Sequence, residues 1–109
     1  LSAAAMAGQD AIDGGCIAVT QGPRLETGAE IERFRRDGCD MVGMTTMPEA
    51  ALAREIDLDY ATLCVNANWA AGIGDEPVTM QGIDDTLAEA MGQARVLLTN
   101  FFGGYADDC

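Results

Sequence analysis

One stretch constrains the fold of this chain more than any other: a short apolar run that is followed directly by a helical pattern. The run is Cys39–Met44, preceded by Gly38, and it predicts a buried strand. Thr45 follows at once, and Thr46 and Glu49 have the spacing of a helix capping box. A strand that ends in hydroxyls at a helix N-terminus is typical of an anion site. The plain alternative is a well-capped turn that binds nothing.

The rest of the chain alternates short apolar runs with helical patterns. The predicted strands are Cys16–Thr20, Cys39–Met44 and Tyr60–Asn66. Helices are predicted at Ser2–Gln9, Pro48–Ile56 and Gly82–Phe102. A further helix is predicted to begin at a second capping box, formed by Thr27 and Glu30, and to end at Gly38. The apolar face of the third helix is expected at Ala51, Leu52 and Ile56, and that of the last at Ile83, Leu87, Met91, Ala94, Leu98 and Phe101. This alternation predicts an α/β fold with mostly parallel strands.

The loops that follow the predicted strands carry most of the polar chemistry. These loops are Gln21–Glu26, Thr45–Thr46 and Asn66–Ala70, and they hold a carboxylate, hydroxyls and amides. In open α/β sheets, ligands bind beyond the carboxyl ends of the strands. The sequence therefore predicts a small-molecule site for an anion and a polar heterocycle.

Composition narrows the class of protein. The 109 residues suit one domain, with 49% apolar residues and a net charge of −12 from 18 acids and 6 bases. Such acidity argues against nucleic-acid binding and against anionic membrane surfaces. No apolar run approaches the about 20 residues of a membrane helix.

The cysteines and the two chain ends complete this picture. The four cysteines form no C-x-x-C pair and there is no histidine, so no metal site is expected. Three of them lie in apolar strand-like runs, so we predict free, buried, reduced thiols in a cytoplasmic protein, although the even count also permits disulfides. Because the chain begins at Leu1 in mid-pattern, we interpret residues 1–102 as the C-terminal portion of a larger domain. Residues 103–109 are predicted to be a frayed acidic tail.

Two linked motifs resemble the purine nucleoside and methylthioadenosine phosphorylase family. The first is Thr20-Gln-Gly-Pro-Arg-Leu-Glu-Thr27, followed by Ala29-Glu30, and the second is Gly43-Met-Thr-Thr-Met-Pro-Glu-Ala50. The resemblance runs from about Gly14 to about Leu98. It implies a three-layer α/β/α fold with a central mixed sheet, assembled as a homotrimer.

The resemblance also implies a reaction. Members of this family cleave the N-glycosidic bond of a purine nucleoside with orthophosphate as co-substrate, and no cofactor is expected. Thr45 is expected to contact phosphate and Met44 to lie against the ribose. Asn68 occupies the position that faces purine N7 and the 6-substituent, and serves as the catalytic donor to the leaving base. Glu26 occupies the position that faces N1.

The residues at these positions favour a 6-oxopurine. The Glu26 carboxylate can accept from N1–H, and the Asn68 amide can donate to O6. Adenine-specific relatives have Asp in place of Asn68 and again two residues later, where this chain has Ala70. Relatives that act on inosine and guanosine carry a histidine near the 5′ group of the nucleoside. In this chain the corresponding position is Met80, whose apolar side chain suits a methylthio group. These features look most like a phosphorylase of S-methyl-5′-thioinosine.

Each of these residues also has a plainer interpretation. Glu26 can be a charge at a helix N-terminus, Asn68 a turn residue, and Met80 part of a core. Leu25 replaces an aromatic residue that often packs on the nucleoside. Because the family's other phosphate contacts lie in its N-terminal half, the chain alone is expected to be inactive. The alternatives are phosphorolysis of methylthioadenosine, phosphorolysis of inosine or guanosine, and an inactive fragment that binds a nucleoside.

Overall fold

The structure is a computed structural model that describes residues 1–74 and 79–106. Its elements are α1 (Ser2–Met6), β1 (Ile17–Val19), α2 (Gly28–Arg36), β2 (Met41–Gly43), α3 (Glu49–Glu55) and α4 (Met80–Ala106). They belong to two compact units. The first contains the described residues of Leu1–Gly14, Val65–Asn68 and Thr79–Cys109, and the second those of Gly15–Cys64 and Trp69–Val78.

The centre of the second unit is a parallel pair of strands. β1 and β2 pair in the register Ile17↔Met41, Ala18↔Val42 and Val19↔Gly43. Both strands lie inside the predicted runs, so these two predictions and the parallel pairing are confirmed. The small parallel sheet with its helices is compatible with an α/β fold, and the three-layer arrangement stays a prediction.

The predicted third strand, Tyr60–Asn66, is wrong. Within the described residues, the sheet has two strands, and residues 60–66 form neither strand nor helix. A strand exists only where a neighbouring backbone supplies its hydrogen bonds. The apolar, β-branched pattern indicated a buried segment, yet Tyr60 and Leu63 are 41% and 45% exposed.

Helix α2 begins and ends as its sequence predicts. The Thr27 side chain accepts from the Glu30 N–H, and the Glu30 carboxylate accepts from the Thr27 N–H, which completes the capping box. Asp37 is the C-cap, and Gly38 then adopts φ +85°, a conformation that glycine reaches at little cost. Ile31 is the buried residue that anchors this helix.

Helix α3 is present, but its predicted capping box and apolar face are wrong. It begins at Glu49 after Pro48, and no side chain caps it. Because Glu49 is the first helical residue rather than the third, its carboxylate cannot reach back to Thr46 and instead accepts from the Tyr60 hydroxyl at 3.2 Å. Ala53 is buried, whereas three residues of the predicted apolar face are exposed, namely Ala51, Leu52 and Ile56.

The first unit contains α1 and α4. Helix α1 ends before Gly8, which has φ +65°, as the sequence predicts. In the predicted stripe of α4, Ala94 is buried and Ile83 and Leu87 are half-buried, whereas the other members are exposed: Met91, Leu98 and Phe101. The prediction of a frayed tail is wrong for residues 103–106, because they continue α4; residues 107–109 lie outside the described part of the chain.

The cysteines are free but less buried than predicted. Cys16 and Cys64 are exposed, Cys39 is half-buried, and all three are unpaired thiols; Cys109 lies outside the described residues. No helix in the described ranges is both long and apolar enough to cross a membrane. Among residues 1–74 and 79–106, no cluster of three metal-ligating side chains occurs.

Candidate functional site

The two strands bring two predicted site loops side by side. The Thr20 N–H donates to the Gly43 carbonyl at 2.9 Å, so the ladder continues one residue past β1. The loop from Gln21 therefore leaves the sheet next to the start of the Met44–Thr45 segment. This adjacency follows from parallel pairing, because both carboxyl ends of the strands meet at one edge.

Met44 packs against the loop that follows β1. A Cβ atom built at Gly22 would lie 2.7 Å from the Met44 Sδ atom, closer than real Cβ contacts allow. Glycine at this position therefore makes room for the methionine side chain. Met44 is half-buried between the loop and the strand end, and Thr45, the next residue, exposes its side chain.

The Glu26 carboxylate is held by the last residue of the first predicted strand. The Thr20 hydroxyl donates a hydrogen bond to Glu26 Oε1, and the contact is partly buried. Thr20 is fixed in turn by its backbone bond to Gly43. The carboxylate is therefore tied to the sheet itself, although Glu26 belongs to a loop.

A second set of polar contacts fixes the same loop to α2. Arg24 makes a bidentate pair with Glu30, with Nη–Oε distances of 2.5 and 2.6 Å. These bonds, together with the Thr27 N–H, lower the pKa of Glu30 from 4.5 to about 2. The same bond to Glu30 raises the pKa of Arg24. Both ends of the segment from Thr20 to Thr27 are thus anchored.

Ala70 lies in a turn that packs on the N-terminus of α2. The Ile73 N–H donates to the Ala70 carbonyl at 3.0 Å and closes the turn. A Cβ atom built on Gly72 would lie 3.6 Å from the Gly28 Cα atom, so the two glycines bring the backbones into close contact. Ala70 itself is half-buried. The second unit thus collects four predicted site residues: Glu26, Met44, Thr45 and Ala70.

The other two predicted residues belong to the first unit. Asn68 is exposed, and Met80 is the first residue of α4, with 67% of its surface exposed. The plain interpretation of Met80 as a core residue is therefore wrong. Their approach to a shared nucleoside stays a prediction. A recess in the described part of this unit is lined by Leu1, Ala4, Ala5, Gly8, Gln9, Asp10 and Ala11, and none of these is a predicted site residue.

The sequence alone indicated no role for Thr20, Gly22 or Arg24, although all three lie in the Thr20–Thr27 motif. The signal for Gly22 was its place before proline in a loop at a strand end, where close backbone approach is common. The role of Thr20 could have been predicted from the parallel register, because Thr20 ends the first predicted strand at the same edge of the sheet where the loop brings Glu26. Arg24 had no signal beyond its charge, because its partner Glu30 lies on the following helix.

The sequence profile of the phosphorylase superfamily matches residues 1–103. The match covers nearly the whole chain, so the chain belongs to this superfamily.

The chain is also similar to individual curated proteins. A protein of Xanthomonas campestris, named a probable S-methyl-5′-thioinosine phosphorylase, is 63% identical over 81 residues, which is 73% of this chain and 32% of that protein. A Xylella fastidiosa protein of the same name is 55% identical over 89 residues, 82% of this chain and 35% of its own length. A Thermococcus kodakarensis protein, named a probable 6-oxopurine nucleoside phosphorylase, is 42% identical over 84 residues, 77% of this chain and 32% of its own. The chain spans about a third of the length of these curated relatives.

Proposed function

We propose that this chain supplies the purine-binding and part of the phosphate-binding residues of a 6-oxopurine nucleoside phosphorylase acting on S-methyl-5′-thioinosine. The products are free hypoxanthine and 5-methylthioribose 1-phosphate. The observation that carries the proposal is the Glu26 carboxylate, bonded to Thr20 beside Met44 at the carboxyl edge of the strand pair. The names of the Xanthomonas and Thermococcus relatives support the same substrate class.

The chemistry requires an electrophilic sugar, a nucleophile and a stabilised leaving base. Orthophosphate attacks C1′, the C1′–N9 bond breaks, and its electron pair moves onto the purine. The exposed Thr45 hydroxyl is available to donate to phosphate, and Met44 offers an apolar surface to the ribose. The Asn68 amide donates near N7, where a well-placed donor contributes about 3–4 kcal/mol to transition-state stabilisation.

Glu26 sets the base preference in this account. An ionised carboxylate accepts from the N1–H of a 6-oxopurine, whereas adenine presents a lone pair at N1 and is repelled. Because the Thr20 hydroxyl donates to Oε1, the second oxygen remains to receive the purine. A site with such polar partners rejects the wrong base strongly, since the mismatch leaves buried groups unpaired. Ala70 offers no acceptor for a 6-amino group, and the exposed Met80 side chain suits an apolar 5′ substituent.

The test is phosphorolysis by the complete gene product carrying Glu26→Gln. We expect a fall of at least tenfold in kcat/KM for S-methyl-5′-thioinosine, because an acceptor in a charge-assisted bond is lost. Glu32→Gln is the matched control, since Glu32 pairs with Arg36 on α2 and should leave activity unchanged. Equal activity of Glu26→Gln and the parent would refute the assignment of Glu26.

A second variant tests the catalytic donor. Asn68→Asp replaces the donating amide with an acceptor and should move the preference toward adenine nucleosides. An unchanged ratio of 6-oxopurine to adenine turnover would show that another residue faces the 6-substituent. A homotrimer in the cytoplasm completes the proposal, and light scattering on the complete protein tests its oligomeric state.

A further inference from the structure

The amino-terminal ends of the two strands bring a pair of cysteines together. Cys16 immediately precedes β1 and Cys39 lies two residues before β2, and their Sγ atoms are 3.9 Å apart. The Cys16 carbonyl accepts from the N–H groups of Asp40 and Met41 at 2.9 and 3.1 Å. The Asp40 carboxylate in turn accepts from the Cys16 N–H at 2.8 Å. Three hydrogen bonds therefore hold the two thiols beside each other.

We propose that Cys16 and Cys39 form an oxidative modification site, which a peroxide converts into an intramolecular disulfide. A disulfide needs its two Cα atoms about 4.4–6.8 Å apart, and the hydrogen bonds between Cys16 and Asp40 hold the two backbones next to each other here. The sulfur atoms must close from 3.9 Å to a bond of about 2.05 Å.

Exposure assigns different roles to the two thiols. Cys16 is exposed and Cys39 is half-buried, so a peroxide in solution reaches Cys16 first. Partial removal from water raises the pKa of the Cys39 thiol, with smaller contributions from Cys16 and from the charges of Asp37 and Asp40. Cys39 therefore stays a protonated thiol at neutral pH and acts as the resolving partner.

The proposed chemistry needs a peroxide as the oxidant and proceeds in two steps. Cys16 releases its proton and its thiolate attacks a peroxide oxygen, so an S–O bond forms and the O–O bond breaks. The departing hydroxide takes up the released proton and leaves as one water. The Cys39 sulfur then attacks the sulfenic acid, so the S–S bond forms and the S–O bond breaks. The hydroxide takes the Cys39 proton and leaves as a second water. The two thiols together lose two electrons, and one hydrogen peroxide is reduced to two waters.

The site is separate from the proposed nucleoside residues. It ties together the starts of β1 and β2, whereas Thr20 and Met44 follow the ends of the same strands. The inference does not depend on the proposed function, because it concerns two thiols at the opposite edge of the sheet. Its physical effect is a cross-link between segments 23 positions apart, which stabilises the folded strand pair.

Peptide mapping tests the proposal directly. The chain has no lysine, and cleavage after arginine puts the four cysteines on separate peptides: residues 1–24, 37–54, 55–95 and 96–109. The reduced protein is treated with hydrogen peroxide, alkylated and digested without reductant. We expect peptides 1–24 and 37–54 to be joined, with a mass lower by two hydrogen atoms, and the joined species to disappear with dithiothreitol.

Two variants separate this pair from the other thiols. Cys64→Ser should leave the cross-link unchanged, whereas Cys39→Ser should leave Cys16 as a sulfenic acid that dimedone labels. The oxidised parent should also melt at a higher temperature than the reduced one. Peroxide treatment that leaves peptides 1–24 and 37–54 unjoined, or that links either of them to a Cys64 or Cys109 peptide at equal yield, would overturn the proposal.

Discussion

Replacing Thr20 with valine removes the hydroxyl that donates to Glu26 and keeps the shape of the side chain. Thr20 and Glu26 are both half-buried, and the Thr20 hydroxyl donates to the Glu26 carboxylate. A hydrogen bond to an ionised group contributes about 1.5–3 kcal/mol. The contact is only partly buried, so we take the lower end, about 1.5 kcal/mol, which is roughly tenfold in an equilibrium constant.

The effect of Thr20→Val should appear in KM rather than in kcat. The purine N1–H contacts Glu26 both in the bound nucleoside and in the transition state, so a misplaced carboxylate weakens both states equally. We therefore expect KM for a 6-oxopurine nucleoside to rise about tenfold with kcat unchanged. Steady-state phosphorolysis by the complete gene product measures both constants.

Thr20→Ser is the matched control, because serine keeps the hydroxyl and loses only a methyl group. It should restore KM to near the parent value. A thermal melt of each variant reports whether the strand end stays folded. The reasoning is refuted if Thr20→Val keeps the parent KM, or if Thr20→Ser is impaired as severely as Thr20→Val while both melt normally.

Four further predictions concern the stability of single elements. Thr27→Ala removes the side-chain cap of α2 and should lower the free energy of unfolding by about 1 kcal/mol in denaturant titrations. The pKa of Glu30 is lowered from 4.5 to about 2, so the ionised carboxylate stabilises the folded chain above pH 4.5 and this stabilisation is lost as the pH falls toward 2. Glu30→Gln should abolish this part of the acid dependence of the melting temperature. Gly92→Ala places a methyl group in open space within α4 and should raise stability by about 0.5–1 kcal/mol. Gly82→Ala should gain less, because its Cβ would lie 3.2 Å from the Thr79 hydroxyl.

Local signals predicted the parts of the fold that local interactions determine. The capping box at Thr27 and Glu30 depends on a spacing of three residues, and Gly38 ends the helix through its own backbone freedom. β1 and β2 were found because each is a short apolar run next to glycine or a turn. Parallel pairing then followed from the helix between them.

The errors arose where structure depends on distant partners. Tyr60–Asn66 has the composition of a strand, but composition does not provide the neighbouring backbone that a strand requires. The spacing of Thr46 and Glu49 fits a cap, but the helix begins at Glu49 and that carboxylate meets Tyr60 instead. Likewise, the exposure of Leu52 is a property of packing, which the helical period alone does not fix.

The same distinction applies to the candidate site. The roles of Glu26, Met44 and Thr45 follow from two motifs and their order along the chain, and they stay predictions. The bond from Thr20 to Glu26 and the proximity of Cys16 to Cys39 could not be read from either motif. Both depend on the register of two strands separated by a helix.

The most direct test of the central claim is a comparison of phosphorolysis rates. The complete gene product is assayed with orthophosphate and S-methyl-5′-thioinosine, methylthioadenosine or inosine, each in turn. The account predicts the highest kcat/KM for S-methyl-5′-thioinosine, because Glu26 accepts from its N1–H and Met80 suits its methylthio group. A higher kcat/KM for methylthioadenosine would contradict it.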